Sequence, residues 1–145
     1  MKQFSLPRSD NRGFTLIELL VVLVILGMLA GLVGPRLFSN VDKSKVKTAD
    51  TQVKMLRGSL QTYRLDVGSY PSTEQGLAAL MHKPSDVSNW QGPYLEDELP
   101  KDPWSNAYVY KSPVDNLQGF ALYSLGADGK PGGDGLDADV GYLEK

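Results

Sequence analysis

The residues of this chain that could do chemistry are carboxylates, and they occur in two settings. Glu18 stands alone in an apolar run that begins at Phe14 and continues through Leu19–Leu26 to about Val33. A carboxylate in a membrane-spanning stretch costs about 2.5–3.5 kcal/mol at mid-bilayer, and less near an interface. A segment that serves only as an anchor has no use for it, so Glu18 asks for a partner charge. Taken alone, a carboxylate that snorkels to the interface or stays protonated explains it equally well. At the far end lies Asp128-Gly129-Lys130-Pro131-Gly132-Gly133-Asp134-Gly135-Leu136-Asp137-Ala138-Asp139. A hard cation such as calcium takes about six to eight oxygens, from carboxylates and carbonyls, and glycines let a chain turn tightly enough to aim carbonyls inward. The spacing is not that of an EF-hand. Gly132–Asp137 has the pattern that starts a nonapeptide calcium repeat, but in a single copy, with Asp139 where that repeat wants an apolar side chain. By composition a solvated acidic turn and a cation site remain equal readings.

Other chemistry has little support. The 145 residues hold no cysteine and one histidine, His82, which excludes a disulfide framework and a thiolate metal site. His82 reads as a solvated histidine at a helix end. No nucleophile–base pair and no phosphate-cradling glycine loop is present, so the chain reads as a non-enzyme. The formal net charge is −2, without a basic patch interleaved with aromatics, which argues against nucleic acid. Charge is nevertheless uneven. Lys2, Arg8 and Arg12 lead the chain, whereas Asp115, Asp128, Asp134, Asp137, Asp139 and Glu144 crowd its end.

The elements that must position these carboxylates follow from periodicity. Residues 14–34, as a helix, span about 31 Å, the thickness of a bilayer core. The basic leader, residues 1–13, then stays cytoplasmic and the remainder faces outward. A secretory signal peptide has a shorter apolar region. Gly27-x-x-x-Gly31 has the spacing that lets membrane helices approach closely. Gly27, Gly31, Gly34 and Pro35 weaken a helix interior, so this segment is expected to bend or partly unwind on assembly. After Pro35 the pattern becomes amphipathic. Val46, Ala49, Val53, Leu56, Leu60, Tyr63 and Val67 form one stripe. The first helix should therefore run from about Phe14 to Asp66 and end at Gly68, its stripe packed on a sheet rather than in a coiled coil. Ser72 or Thr73 caps a second helix over Glu74–Met81. Ala107–Tyr110 and Gly119–Ser124 have strand composition, and Trp90, Tyr94 and Trp104 pin the intervening loops to the core.

Arg12-Gly13-Phe14-Thr15-Leu16-Ile17-Glu18 resembles the class III signal of type IV pilins and their relatives. Four further segments, Tyr70–Leu77, Trp90–Leu95, Pro100–Trp104 and Tyr123–Gly129, resemble the major pseudopilin family of type II secretion systems, in order from Arg12 to about Gly141. The tail Tyr142–Lys145 lacks the Asn-Trp common there.

The resemblance implies an α+β, type IV pilin-like fold: a long N-terminal helix, half membrane and half amphipathic, on a small antiparallel sheet with a C-terminal calcium loop. It divides the chain into a leader (1–13) that is removed, a transmembrane and assembly helix (14–34), and a periplasmic domain (35–145) whose helix reaches about residue 67. It implies cleavage after Gly13 and N-methylation of Phe14 by a prepilin peptidase/N-methyltransferase. It makes Glu18, Phe14 and Pro35 assembly residues, with Glu18 meeting the terminal amine of a neighbouring subunit. It favours calcium, held by Asp128, Asp137 and Asp139 with backbone oxygens of Leu125 and Lys130; Asp134 comes last, since it can point to solvent. The implied product is an inner-membrane protein that polymerises with itself into a periplasmic pseudopilus. Its further partners are minor pseudopilins, the secretion assembly platform and, before assembly, lipid. An adhesive or DNA-uptake filament subunit is the alternative, and a non-polymerising calcium module on a membrane anchor is a third reading.

Overall fold

Helix α1 (Leu16–Val67) comprises 52 residues. The computed structural model describes residues 13–144, with the backbone alone for 34–39. The leader residues up to Arg12, and Lys145, lie outside the described residues. The chain divides into two compact units, 1–39 and 40–145. In the first, Leu16–Val33 has a mean hydropathy of 2.9 and none of it is buried, so it is long and apolar enough to cross a membrane. The backbone stays helical through Gly27–Pro35 in the single chain.

In the second unit, the stripe read from the sequence is the spine of the core. Ala49, Val53, Leu56, Leu60 and Tyr63 are buried, and Val46 and Val67 are half-buried. Spacings of three and four keep these residues on one helix face. Gly68 ends α1 by donating its N–H to the Arg64 carbonyl (2.8 Å).

That face packs on a three-stranded antiparallel sheet, β1 (Val109–Lys111), β2 (Ala121–Ser124) and β3 (Val140–Tyr142), in the order β1-β2-β3. Tyr110 pairs with Leu122, and Leu122 with Tyr142, across the sheet. Every residue of the central strand β2 is buried. Phe120, at its start, is the aromatic hub: its ring lies 4.8 Å from that of Tyr70 and 6.4 Å from that of Tyr142, both edge to face. Tyr110 donates its hydroxyl proton to the Pro71 carbonyl (2.8 Å), and burial pushes its phenol up to about 12. Trp90 and Tyr94 pack against this cluster, as expected of loop-pinning aromatics, and Trp90 Nε1 donates to the Ala79 carbonyl (2.8 Å).

Two elements differ from the sequence reading. The expected α-helix over Glu74–Met81 is a turn followed by a short 3₁₀ helix, Leu77–Leu80. Ser72 caps the turn: Gln75 N donates to Ser72 Oγ and Ser72 N to Gln75 Oε1. Gly76 then adopts φ 60°, outside helical space, so the capped turn cannot grow into an α-helix. Strand β3 was not expected. It is three residues long, and Gly141 within it lies so close to β2 that an added Cβ would sit 2.3 Å from the Leu122 carbonyl oxygen.

Leu56→Ala should lower unfolding stability by about 2–5 kcal/mol in denaturant titrations of the detergent-solubilised chain. Leu65→Ala, nine residues along but 84% exposed, should change it by no more than about 0.5 kcal/mol.

Candidate functional site

Helix α1 opens on a reciprocal cap. Thr15 N and Thr15 Oγ1 both donate to Glu18 Oε2, at 2.8 and 3.0 Å, and Glu18 N donates to Thr15 Oγ1 at 3.3 Å. This is a capping box, with Thr15 at the N-cap and Glu18 three residues on. The carboxylate also faces the positive end of the helix dipole. Glu18 therefore has a local hydrogen-bond partner in Thr15, and Thr-x-x-Glu before an apolar run is its readable signal. The cap places the carboxylate beside the backbone nitrogen next to Phe14. Phe14 and the apolar residues from Leu16 to Val33 are exposed, many by half or more. Pro35 is helical; its side chain lies outside the description.

The acidic loop leaves β2 at Ser124 and returns at β3. Asp128 Oδ1 accepts from Lys130 N (3.0 Å) and Asp139 Oδ2 from Gly132 N (2.9 Å). Ala127 N donates to the Leu136 carbonyl (3.0 Å). Gly126 (φ 67°) and Gly133 (φ 84°) both press on Asp137: an added Cβ would lie 2.8 and 2.5 Å, respectively, from its carbonyl oxygen. Asp128, Asp134 and Asp137 are exposed, Asp139 is half-buried, Leu125 is half-buried and Lys130 exposed. Among the described residues, no three acidic side chains or histidines come close enough together to hold an ion. Asp128, Asp137 and Asp139 thus share one loop without converging.

One atom does fit a hard cation. Asp139 Oδ1 is buried and has no hydrogen-bond partner. A buried carboxylate oxygen without a donor is costly, and a carboxylate oxygen is the kind of ligand that calcium takes.

The loop rests on a buried carboxylate that the sequence reading passed over. Asp102, 4% exposed, accepts at Oδ1 from Trp104 N (3.0 Å) and Asn106 N (2.7 Å), and at Oδ2 from Ser124 Oγ (2.5 Å). Ser124 Oγ in turn accepts from Gly126 N (3.2 Å). The Lys101–Trp104 turn is thereby tied to the first residues of the acidic loop. An aspartate that bonds backbone N–H groups two and four residues on is ordinary turn chemistry, and the Asp-Pro-Trp run was the available signal. The other end of the loop is held through β3, where Arg57 Nη1 donates to the Tyr142 hydroxyl (3.0 Å) and the guanidinium lies 5.2 Å from its ring centre. His82 is exposed, as expected.

Comparison with known proteins gives the family. The family model "Type II secretion system (T2SS), protein G" matches residues 36–143, and "Prokaryotic N-terminal methylation motif" matches residues 8–34. The chain is 48% identical over 140 residues to the type II secretion system core protein G of Pseudomonas aeruginosa, covering 94% of this chain and 97% of that one. It is 46% identical over 132 residues to the Vibrio cholerae protein of the same description, covering 89% of each. Among solved structures it is similar to the major pseudopilin from the type 2 secretion system of enterohaemorrhagic Escherichia coli, with a TM-score of 0.61 and 34% identity over 73% of this chain and 92% of that one.

Asp102→Ala strands the Ser124 hydroxyl and two backbone N–H groups. It should cost at least about 3 kcal/mol of unfolding free energy, with raised amide hydrogen exchange at Trp104, Asn106 and Gly126 while the α1 core stays protected.

Proposed function

This chain belongs to the type II secretion system protein G family, as a major pseudopilin and a non-enzyme, and we propose that it polymerises with itself into a periplasmic pseudopilus that drives export of folded proteins. The observation that carries this reading is α1 itself. Its first half, to Val33, is apolar and wholly exposed, and its second half is the spine of a folded core. An exposed apolar surface of that extent needs lipid or other copies of the same helix.

In this reading the precursor sits in the inner membrane with residues 1–13 in the cytoplasm. A prepilin peptidase cuts after Gly13 and methylates Phe14. Residues 14–34 cross the membrane, and residues 35–145 lie in the periplasm. The Thr15 cap holds the Glu18 carboxylate at the very start of the helix, where the new amine of an adjoining Phe14 can reach it. An opposite charge offsets a buried carboxylate only in the correct register, so Glu18 acts as a register key. Gly27–Pro35 absorbs any bend on passing from membrane to filament. The inner-membrane assembly platform and minor pseudopilins are the remaining partners.

Calcium fits the acidic loop. Asp128, Asp137 and Asp139, with Asp134 as the outlying member, and the main-chain oxygens of Leu125 and Lys130 are the groups that would hold it. When bound, it supplies positive charge that neutralises these carboxylates and crosslinks the loop. The orphaned Asp139 Oδ1 is the atom with most to gain. Asp102 and Ser124 hold one base of the loop, and Tyr142 and Arg57 hold the other.

Glu18→Ala should leave the subunit inserted and processed yet reduce filaments and secretion at least about tenfold, as expected for loss of one charge-assisted contact per subunit. Unchanged assembly, scored by electron microscopy and by secretion in a deletion strain, defeats the register key. Chelation should lower the melting temperature by about 10 °C or more if calcium had been present at roughly a hundred times its Kd. Asp139→Ala should abolish that difference; no shift on chelation defeats the calcium assignment.

A further inference from the structure

Within the folded unit, α1 carries two unpaired surfaces of opposite charge on different sides. One is a groove of about 540 Å³ between Gln52, Met55 and Ser59 of the helix and the loop Tyr94–Pro100, walled by Glu96, Asp97 and Glu98. All three acids are exposed, and Met55 in the floor is 48% exposed. The other is formed by Lys43 and Lys47, both exposed and one turn apart. Among the described residues the ion pairs are Lys54–Asp50 and Lys111–Glu144, so none of these five charged side chains forms an ion pair there. With about 100° of rotation per helical residue, Lys43 and Lys47 lie about 80–180° around α1 from Gln52, Met55 and Ser59, and about 130° from the middle of the groove.

We propose that the acidic groove of one copy receives the Lys43–Lys47 flank of the next, an inference that rests on the polymerisation proposed above. Three observations commit the groove to a second copy. The charges are complementary, and none of the five forms an ion pair among the described residues. The floor offers Met55, an apolar side chain against which lysine stems can lie. The two surfaces also differ from one another and lie on different sides of the helix, so the contact is heterologous. Such a contact does not close into a dimer but repeats, giving an open filament. The groove is centred about ten residues beyond Lys45, so the neighbour is displaced by about 15 Å along α1, toward its C-terminal end. Exposed ion pairs contribute only about 0.2–1 kcal/mol each. The contact therefore sets register and partner choice, while the apolar helices supply most of the association energy.

The full-length chain tests this directly, because it contains no cysteine. Lys47→Cys combined with Asp97→Cys, oxidised with copper-phenanthroline in cells assembling filaments, should give a ladder of dimers and higher disulfide-linked species; either cysteine alone should give no more than dimers. Reversing charge on one flank (Lys43→Glu with Lys47→Glu) or on the groove (Glu96→Lys, Asp97→Lys, Glu98→Lys) should each lower filament yield about tenfold, and combining the two sets should restore it to within about threefold. Filaments of the double-cysteine variant at ordinary yield without a ladder overturn the docking and leave polymerisation standing. So does a combined reversal no better than its parts when each part melts like the wild type. Absence of filaments from the unsubstituted chain sinks the polymerisation reading itself.

Discussion

Everything in this fold depends on one helix working in two environments. α1 presents apolar side chains all round up to Val33, and from Ala49 onward it narrows them to a single stripe against Phe120 and Leu122. A uniformly apolar helix is stable in lipid or among its own kind; an amphipathic one is stable on a core. Both halves belong to one continuous helix, Leu16–Val67.

The domain carried by that helix is small and has no disulfide. Its sheet has three strands of three or four residues, at the short end of the usual range, so it leans on its packing against α1. Polar anchors take over where apolar area runs short. Asp102 gathers three donors in a site almost closed to solvent, and one of those donors, Ser124, begins the acidic loop. Tyr142 is held by Arg57 at the other end. Within the loop Asp128 and Asp139 each accept a backbone N–H, and only the second oxygen of Asp139 is buried without a partner among the described residues. That atom is the physical support for the cation proposed there.

The legible parts of this chain were the ones written in local periodicity. The α1 stripe, the stop at Gly68 and two of the three strands follow from spacing and composition, and Trp90 and Tyr94 behaved as loop-pinning aromatics do. β3 was illegible because three residues with a glycine in the middle carry no strand pattern; it exists because Gly141 lets the tail lie against β2. The second helix failed at Gly76, whose left-handed backbone outweighs a good cap. The acidic loop was recognised as a unit, but which of its oxygens are orphaned depends on contacts with distant chain. For Asp102 the local turn bonds to Trp104 and Asn106 are legible in the Asp-Pro-Trp run, but its tie to Ser124, 22 residues away, is not.

Glu18 is the case in which the structure changes the question. A mid-bilayer carboxylate costs about 2.5–3.5 kcal/mol, but a capping interaction returns about 0.5–2 kcal/mol, and a position at the end of the helix lowers the cost further. What remains for a lone subunit is at most about 0.5–3 kcal/mol, which in the proposed filament would favour a neighbour's amine by roughly two- to 150-fold without making the monomer unable to insert. In the register-key proposal Thr15 would act on assembly through Glu18: its cap eases the carboxylate's cost in the membrane and holds it at the start of the helix, next to the backbone nitrogen that follows Phe14.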